Sequence, residues 1–224
     1  MSQEMRTRRN FPSEKTTRGQ PRPLGAMFFK MNSASSLLPE YLEHKGMILR
    51  RWEPGDEAVL SCAIERNVEH LRPWMPWIAE EPLNLAKRRV LIEEWERAWR
   101  QGGDVVLGVF DGTEVAGGCG LHRRRGPFGL DIGYWIDKDH LRRGLGTEIA
   151  RVLTTTALLI PGVTFTEIHH DKANIASGRI PRRLGYDFVG ESIDGKMAPG
   201  EVGIHWAWRM ESADWNRLRQ NSAF

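Results

Sequence analysis

Apolar residues recur along the chain with two different periods, and these periods predict the order of strands and helices. The first strand is predicted at residues 47–52, which read MILRRW. After a Pro-Gly-Asp turn a helix is predicted, because apolar side chains then follow helical spacing at Leu60, Ile64, Val68 and Leu71. The loop RPWMPWIAEEP separates it from a second helix, whose residues at helical spacing are Leu85, Ile92, Trp95 and Trp99.

The second half of the chain predicts more strands than helices. DVVLGVF and TEVAGGCGLH flank Asp111-Gly112, a turn typical of a β-hairpin, and FGLDIGYWID predicts a further strand. A helix that ends near Leu159 follows, and then the strand VTFTEIHH, the helix NIASGRIPRRLG and the strands YDFVGE and GIHWAWRM. This order predicts one mixed α/β (α+β) domain over residues 45–215.

The two ends of the chain differ in composition from its middle. The formal net charge is +3, yet residues 1–30 contain seven Lys or Arg and two Glu, so the rest of the chain carries a net charge of −2. Residues 1–44 are rich in Pro, Gly, Ser and Thr, so we expect a basic, disordered extension there. Residues 216–224 are expected to form a C-terminal tail. A solvated extension, or a start codon placed too far upstream, is favoured over nucleic-acid binding.

Several classes of protein are excluded by what the sequence lacks. No apolar run approaches the roughly 20 residues that span a bilayer, and the N-terminus does not read as a secretory signal. Cys62 and Cys119 lie far apart, which favours a reducing compartment, the cytoplasm, over a disulfide framework or a zinc site. His169 and His170 are adjacent on a predicted strand and point to opposite faces, so no metal is expected.

The stretch HLRRGLGTEIA, residues 140–150, places Gly144 and Gly146 where a helix is predicted to begin. Glycine costs roughly 1 kcal/mol relative to alanine inside a helix, so its presence indicates a close approach to the backbone. Helix N-termini bind anions such as phosphate through their unpaired N–H groups. Neither the nucleotide P-loop nor the dinucleotide Gly-x-Gly-x-x-Gly motif is present.

The strand before this loop carries a second candidate feature. Alternation directs Asp131 and Gly133 to one side and Ile132, Tyr134 and Ile136 to the other. A glycine inside a strand indicates a bulge or a close backbone approach. We therefore predict a phosphate site with a groove beside it, where unpaired strand groups pair with a peptide-like ligand.

Two segments, IGYWIDKDHLRRGLGTEIARVL and IHHDKANIASGRIPRRLGYDFVGE, resemble the GNAT superfamily of acetyl-CoA-dependent N-acetyltransferases, and in particular its ribosomal-protein N-acetyltransferase branch. The resemblance covers residues 47–211. It implies a mostly antiparallel central sheet with one splayed strand pair and helices on both faces, and homodimers in many members. The family loop Q/R-x-x-G-x-G/A corresponds to residues 141–146, with Leu141 in place of Gln or Arg.

The resemblance also implies which residues contact acetyl-CoA, and it implies no metal. Asn174 matches the position that contacts the pantetheine arm, although an asparagine there also suits a helix N-cap. The implied cofactor-binding residues are Ile136, Leu141, Arg142, Arg143, Gly144, Leu145, Gly146, Thr147, Asn174 and Arg179.

Acetyl transfer to an amine needs a proton acceptor, a donor to the carbonyl oxygen and help for the leaving sulfur. The resemblance implies that a backbone N–H of residues 134–136 meets the carbonyl oxygen. Asp131 stands where relatives often carry Glu and is the candidate base. The resemblance implies that Pro181 occupies the position of the usual general-acid tyrosine, and proline cannot donate a proton. Protonation of the sulfur is therefore left to Ser177, to water or to no group at all.

Trp74, Trp77 and Tyr134 are the candidate acceptor-binding residues, although Trp74 and Trp77 also suit packing. An α-amine has a pKa of ~7.7–8.0 and lysine ~10.4, so the α-amine loses its proton at lower cost. The acceptor is therefore predicted to be a protein N-terminal α-amine. A small-molecule amine and a non-catalytic acyl-CoA-binding module are the alternatives. Arg123, Arg124 and Arg125 form either a solvated turn or a contact for an acidic acceptor.

Overall fold

The computed structural model describes residues 28–30 and 40–221. Nine strands and six α-helices are found in this part of the chain. The strands are β1 Phe28–Lys30, β2 Tyr41–His44, β3 Met47–Arg51, β4 Val105–Asp111, β5 Glu114–His122, β6 Gly129–Ile136, β7 Phe165–Asp171, β8 Asp187–Ile193 and β9 Ile204–Glu211. The helices are α1 Glu57–Glu65, α2 Val68–Leu71, α3 Leu85–Arg100, α4 Leu145–Leu158, α5 Ile175–Leu184 and α6 Ser212–Asn221.

The strands form one sheet in the order β1-β2-β3-β4-β5-β6-β7-β9-β8. Every neighbouring pair is antiparallel except β6 and β7, which are parallel. Their pairing is limited to residues 129–131 against residues 165–167. From Ile132 onward β6 pairs only with β5, so its other edge separates from β7. The mixed, mostly antiparallel sheet with a splayed pair is confirmed.

Two apolar clusters cover the two faces of the sheet. Helices α4, α5 and α6 pack on one face, to which they contribute the buried residues Ile149, Leu184 and Trp215. Helices α1 and α3 pack on the other face through Leu60 and Ile92. Fully buried side chains of this size each contribute about 1.5–3 kcal/mol to folding. The two layers hold the splayed strands between them.

The structure differs from the sequence prediction at both ends of the chain. Strands β1 and β2 lie within residues 1–44, and Leu42 is completely buried, so the predicted extension supplies two strands to the edge of the sheet. The rest of that segment lies outside the described residues. Helix α6 runs to Asn221 because the buried Trp215 anchors it and donates a hydrogen bond to the Thr155 hydroxyl. The predicted tail from residue 216 therefore begins as helix.

Three local predictions also need correction. The single helix predicted through Leu71 is divided into α1 and α2 at Asn67, whose side-chain amide donates to the Ala63 carbonyl. A short 3-10 helix, Pro76–Glu80, lies within the predicted loop. At Gly133, where a bulge or a close backbone approach was expected, there is no bulge, because β5 and β6 pair without interruption; the register shift between β4 and β5 lies between Val109 and Phe110.

Asp137, completely buried at the end of β6, connects this strand to the α1–α2 junction. Its carboxylate accepts hydrogen bonds from Arg66 Nε at 2.7 Å, Asn67 Nδ2 at 2.6 Å and the Asp139 N–H at 2.9 Å. Burial by itself raises the pKa of Asp137, but these donors outweigh it and hold the pKa at about 2. The carboxylate thus fixes where the chain leaves the sheet toward α4.

We expect Asp137→Asn to lower the free energy of unfolding by about 2 kcal/mol at pH 7, since hydrogen bonds to a charged group contribute ~1.5–3 kcal/mol. Because the folded-state pKa is depressed, the contribution is complete above about pH 4 and is lost as the pH falls toward 2. Urea unfolding at pH 7 and pH 3 measures both effects. Asp139→Asn, an exposed neighbour, is the control. An unchanged midpoint at pH 7 in Asp137→Asn would contradict this role.

Candidate active site

The loop before α4 combines an exposed surface with a left-handed backbone. Residues 141–144 are exposed, Arg142 has φ +61° and Gly144 has φ +79°. A Cβ on Gly144 would meet no atom within 4 Å, so there is space for a side chain at this position. The positive φ angle of Gly144 therefore explains why glycine is found there. Helix α4 begins at Leu145, so the N–H groups of its first turn face this exposed loop. Backbone donors and two arginines fit a pyrophosphate group here.

Gly146 has a different structural reason. A Cβ at this position would lie 2.8 Å from Ile180 Cδ1 and 3.6 Å from Ile136 Cγ1. The glycine therefore allows α5 and β6 to pack closely on the first turn of α4. Thr147 lies in that same turn, where its N–H donates to the Gly144 carbonyl.

Helix α5 carries the other residues predicted to contact acetyl-CoA. Asn174 is the N-cap of α5, and its Oδ1 accepts from the Ser177 N–H at 3.1 Å. The capping role is thus seen directly, and contact with the pantetheine arm stays a prediction. Arg179 is exposed on the same helix.

Tyr134 and Ser177 lie close together between β6 and α5. The two hydroxyl oxygens are 3.4 Å apart. Burial raises the pKa of Tyr134, which keeps its hydroxyl protonated. Tyr134 packs with the α4–α5 cluster, on the face opposite to Asp131 and to the α1–α3 cluster. The structure therefore groups Tyr134 with Ser177 and not with the predicted acceptor residues Trp74 and Trp77.

A row of charged side chains crosses the opposite face where the strands separate. His122 pairs in register with Asp131, Asp131 with Glu167, and Glu167 with Arg209. Arg125 lies 3.3 Å from both Asp131 Oδ2 and Glu167 Oε2. One guanidinium thus bridges the two carboxylates nearest to the point of separation.

Glu167 is the most strongly bound member of this row. His169 and Arg209 donate to its two oxygens at 2.7 and 2.6 Å. Burial by itself raises the pKa of Glu167, but these donors outweigh it and hold the pKa at about 2. Asp131 is also buried, but its carboxylate receives a hydrogen bond from one side chain, that of Arg125. Its predicted role as the base stays a prediction.

His122 and Asp104 extend the row on its β5 side. His122 Nδ1 lies 2.7 Å from Asp104 Oδ2, and Asp104 Oδ1 accepts from the Arg123 N–H at 2.8 Å. Sequence reasoning missed this pair because Asp104 precedes β4 and His122 ends β5, 18 residues later. The hairpin signal between the two strands could have located it, since closing the hairpin brings these positions together.

Two loops meet at the open end of the splay. The Gly200 N–H, between β8 and β9, donates to the Pro73 carbonyl at 2.9 Å. Trp74 follows Pro73 and is half-buried, while Trp77 is 37% exposed. These tryptophans therefore lie on a loop that contacts the rim of the groove, and their contact with an acceptor stays a prediction.

Asp171, Glu201 and His205 form a group with metal-ligand chemistry that the sequence analysis did not identify. Their ligand atoms lie within 4.8 Å of one another. The Asp171 carboxylate accepts from the N–H groups of Val202 and Gly203, and Glu201 accepts from that of Ala198. These backbone bonds give the two carboxylates a structural role in closing the β8–β9 loop.

Comparison with known proteins assigns this fold and site to a family. Residues 47–187 match the family model "Acetyltransferase (GNAT) domain". The chain belongs to the GNAT acetyltransferase family. It is an acetyl-CoA-dependent N-acetyltransferase, and acetyl-CoA is its co-substrate. None of the helices in the described part of the chain has the length and apolar character that a membrane crossing requires.

Three relatives illustrate the similarity. "Putative ribosomal N-acetyltransferase YdaF" of Bacillus subtilis (strain 168) is 27% identical over 158 residues, which cover 68% of this chain and 84% of YdaF. A crystal structure named "Probable acetyltransferase" is 25% identical with a TM-score of 0.70, over 76% of this chain and 96% of that one. RimL, a ribosomal L7/L12 alpha-N-protein acetyltransferase in complex with coenzyme A, is 17% identical with a TM-score of 0.69, over 76% of this chain and 96% of that one. At this identity the similarity to RimL shows a shared fold and nothing more.

We expect Gly144→Ala to raise the dissociation constant of acetyl-CoA about tenfold, or about 1.4 kcal/mol, because a side chain strains the left-handed turn before α4. Gly112→Ala is the matched control, since Gly112 also has positive φ and open space around its Cβ position but lies in the β4–β5 turn. Calorimetry measures the affinity and thermal unfolding the stability. Equal acetyl-CoA affinity in both variants would argue against a phosphate site at this loop.

Proposed function

We propose that this acetyltransferase acts on the α-amino group of a protein N-terminus. The observation that carries the proposal is the pair of buried carboxylates, Asp131 and Glu167, at the point where β6 separates from β7. An acceptor peptide enters the groove beside the separated strands, and the carboxylates Asp131 and Glu167 attract its terminal ammonium. The names of "Putative ribosomal N-acetyltransferase YdaF" and of RimL, a ribosomal L7/L12 alpha-N-protein acetyltransferase, support a protein acceptor.

The residues around the α4 N-terminus are suited to hold the co-substrate. Acetyl-CoA supplies the acetyl group as a thioester. The first N–H groups of α4 and the exposed Arg142 and Arg143 bind its phosphates. Asn174, at the start of α5, orients the pantetheine arm through its side-chain amide. These contacts fix the reacting group beside the unpaired edge of β6.

Two sets of groups on this chain support the transfer. N–H groups of residues 134–136, on the edge that faces away from β5, donate to the carbonyl oxygen as its negative charge develops. Ser177, supported by the buried Tyr134 hydroxyl 3.4 Å away, supplies a proton to the departing sulfur. Pro181 is a buried residue of α5 and has no proton to give, so the Tyr134–Ser177 pair takes the role that tyrosine has in relatives.

The free-energy cost of deprotonation favours an α-amine over a lysine side chain. Their ordinary pKa values differ by about 2.5 units, or ~3.5 kcal/mol near neutral pH. We also propose a cytoplasmic location, which the free thiols of Cys62 and Cys119 support.

A peptide panel tests the acceptor class. We expect peptides with a free N-terminus to react with kcat/KM at least tenfold above that of Nα-blocked peptides that contain lysine, and above that of polyamines. Mass spectrometry of the product identifies the acetylated nitrogen. Turnover with small amines alone would instead make the acceptor a small molecule.

Asp131→Asn tests the acidic row. We expect KM for the peptide to rise about tenfold while kcat changes less than threefold, because Asp131 holds the ammonium while its Oδ2 contacts Arg125. Asp187→Asn, at the exposed outer end of the same row, is the control and should leave both constants unchanged. If turnover instead falls by a factor of ~10²–10⁴ at constant KM, Asp131 is the proton acceptor.

A further inference from the structure

We propose that His122 is the catalytic base that removes a proton from the acceptor amine, and that Asp104 is the positioning residue that orients it. This inference rests on the proposed function, because it assigns the proton transfer within the same groove. It departs from the sequence-based prediction that Asp131 is the base.

The contact with Asp104 determines which nitrogen of His122 can accept a proton. A carboxylate 2.7 Å from Nδ1 favours a proton on that nitrogen, which leaves Nε2 with its lone pair. Burial by itself raises the pKa of Asp104, but the Arg123 N–H and the hydrogen bond from His122 lower it and keep the carboxylate charged. No described residue forms a hydrogen bond with His122 Nε2.

Two paired glycines explain how the imidazole reaches the active face. Gly120 and Gly133 are register partners on β5 and β6. A Cβ on Gly120 would lie 3.0 Å from His122 Nε2, and one on Gly133 would lie 3.3 Å from it. The ring therefore lies across a surface without side chains, and Nε2 is directed over β6 in the segment that has separated from β7.

The other histidines on the strands that flank β6 are already engaged. His169 Nε2 lies 2.7 Å from Glu167, and His170 Nε2 accepts from the Trp208 indole at 3.0 Å. His170 is also buried on the opposite face. His122 retains 18% of its side-chain exposure and is open to the groove.

The charged groups around His122 come from four elements. They are Asp104 before β4, Arg124 and Arg125 after β5, Asp131 on β6 and Glu167 on β7. Arg124 lies 3.5 Å from His122 Nδ1 and 3.8 Å from Asp104, both longer than the 2.7 Å contact between Asp104 and the imidazole. Arg125 is engaged by the carboxylates of Asp131 and Glu167. Asp104 is therefore the anion in direct contact with the imidazole.

The proton balance of the step is simple. An α-ammonium group gives one proton to His122 Nε2 and becomes a neutral amine. The amine nitrogen forms a bond to the acetyl carbon, and the carbon–sulfur bond breaks with its electron pair going to sulfur. The second nitrogen proton passes to that sulfur through Ser177 or solvent, and His122 returns its own proton to bulk water.

Kinetics of His122→Gln and Asp104→Asn test the assignment. We expect turnover of an α-amine peptide to fall by a factor of ~10²–10⁴ in His122→Gln, with loss of the acidic limb of the pH profile. Asp104→Asn should lower kcat about tenfold and displace that limb. The dissociation constant of acetyl-CoA should change less than twofold in both. His70→Gln on α2 is the control. Thermal unfolding of each variant identifies any loss of folding, and His122→Asn is a second substitution at the same position.

Imidazole nitrogen NMR of the enzyme without acetyl-CoA gives a readout that is independent of turnover. We expect Nδ1 to carry the proton in the wild type, Asp104→Asn to remove this preference, and the acceptor peptide to shift the Nε2 resonance. A wild type that acetylates no α-amine would refute the proposed function. An active wild type whose His122→Gln variant keeps kcat within threefold, or whose Nε2 carries the proton in neutral imidazole, would refute the role of His122 alone.

Discussion

The active site depends on how far the parallel strands β6 and β7 remain paired. Their register ends with Asp131 beside Glu167, two carboxylates that would repel each other as direct neighbours. Arg125 contacts both at 3.3 Å and offsets that repulsion, while His169 and Arg209 draw the Glu167 side chain to the β7 and β9 side. The last pair is thus held by a shared cation, and beyond it the backbone of β6 is left for a ligand. The same charged side chains therefore mark the point at which the pairing of β6 with β7 ends.

A second constraint fixes the connection between β6 and the loop before α4. Asp137 provides this constraint because its buried carboxylate binds the α1–α2 junction and the backbone of the next turn together. The helical break at Asn67 is part of the same arrangement, since its amide serves both Ala63 and Asp137. The α1–α2 junction and the start of the loop that leads to α4 are therefore held together by one carboxylate.

The sequence predicted the features that follow from periodicity and local motifs. The helix at Leu85–Arg100, the hairpin between β4 and β5 and the glycine loop before α4 were all expected from spacing and composition. Features that depend on contacts between distant segments were not. The divided first helix, the Tyr134–Ser177 contact and the Asp104–His122 pair each require a partner between 18 and 70 residues away. The sequence analysis explained Gly146 by the close approach of a ligand. The structure adds a second reason, because a side chain there would collide with Ile180.

Pro181 links the missing family tyrosine to the local structure of α5. A proline inside a helix cannot donate to the carbonyl four residues earlier, which here belongs to Ser177. Pro181 therefore removes the helical donor to the carbonyl of Ser177, the residue whose hydroxyl lies 3.4 Å from that of Tyr134. Gly178 follows Ser177 in the chain, and a Cβ on Gly178 would lie 2.7 Å from His170 Cε1. This part of α5 therefore packs closely against β7. Close packing on one side of α5 and a lost helical hydrogen bond on the other thus meet at Ser177, whose hydroxyl lies 3.4 Å from that of Tyr134.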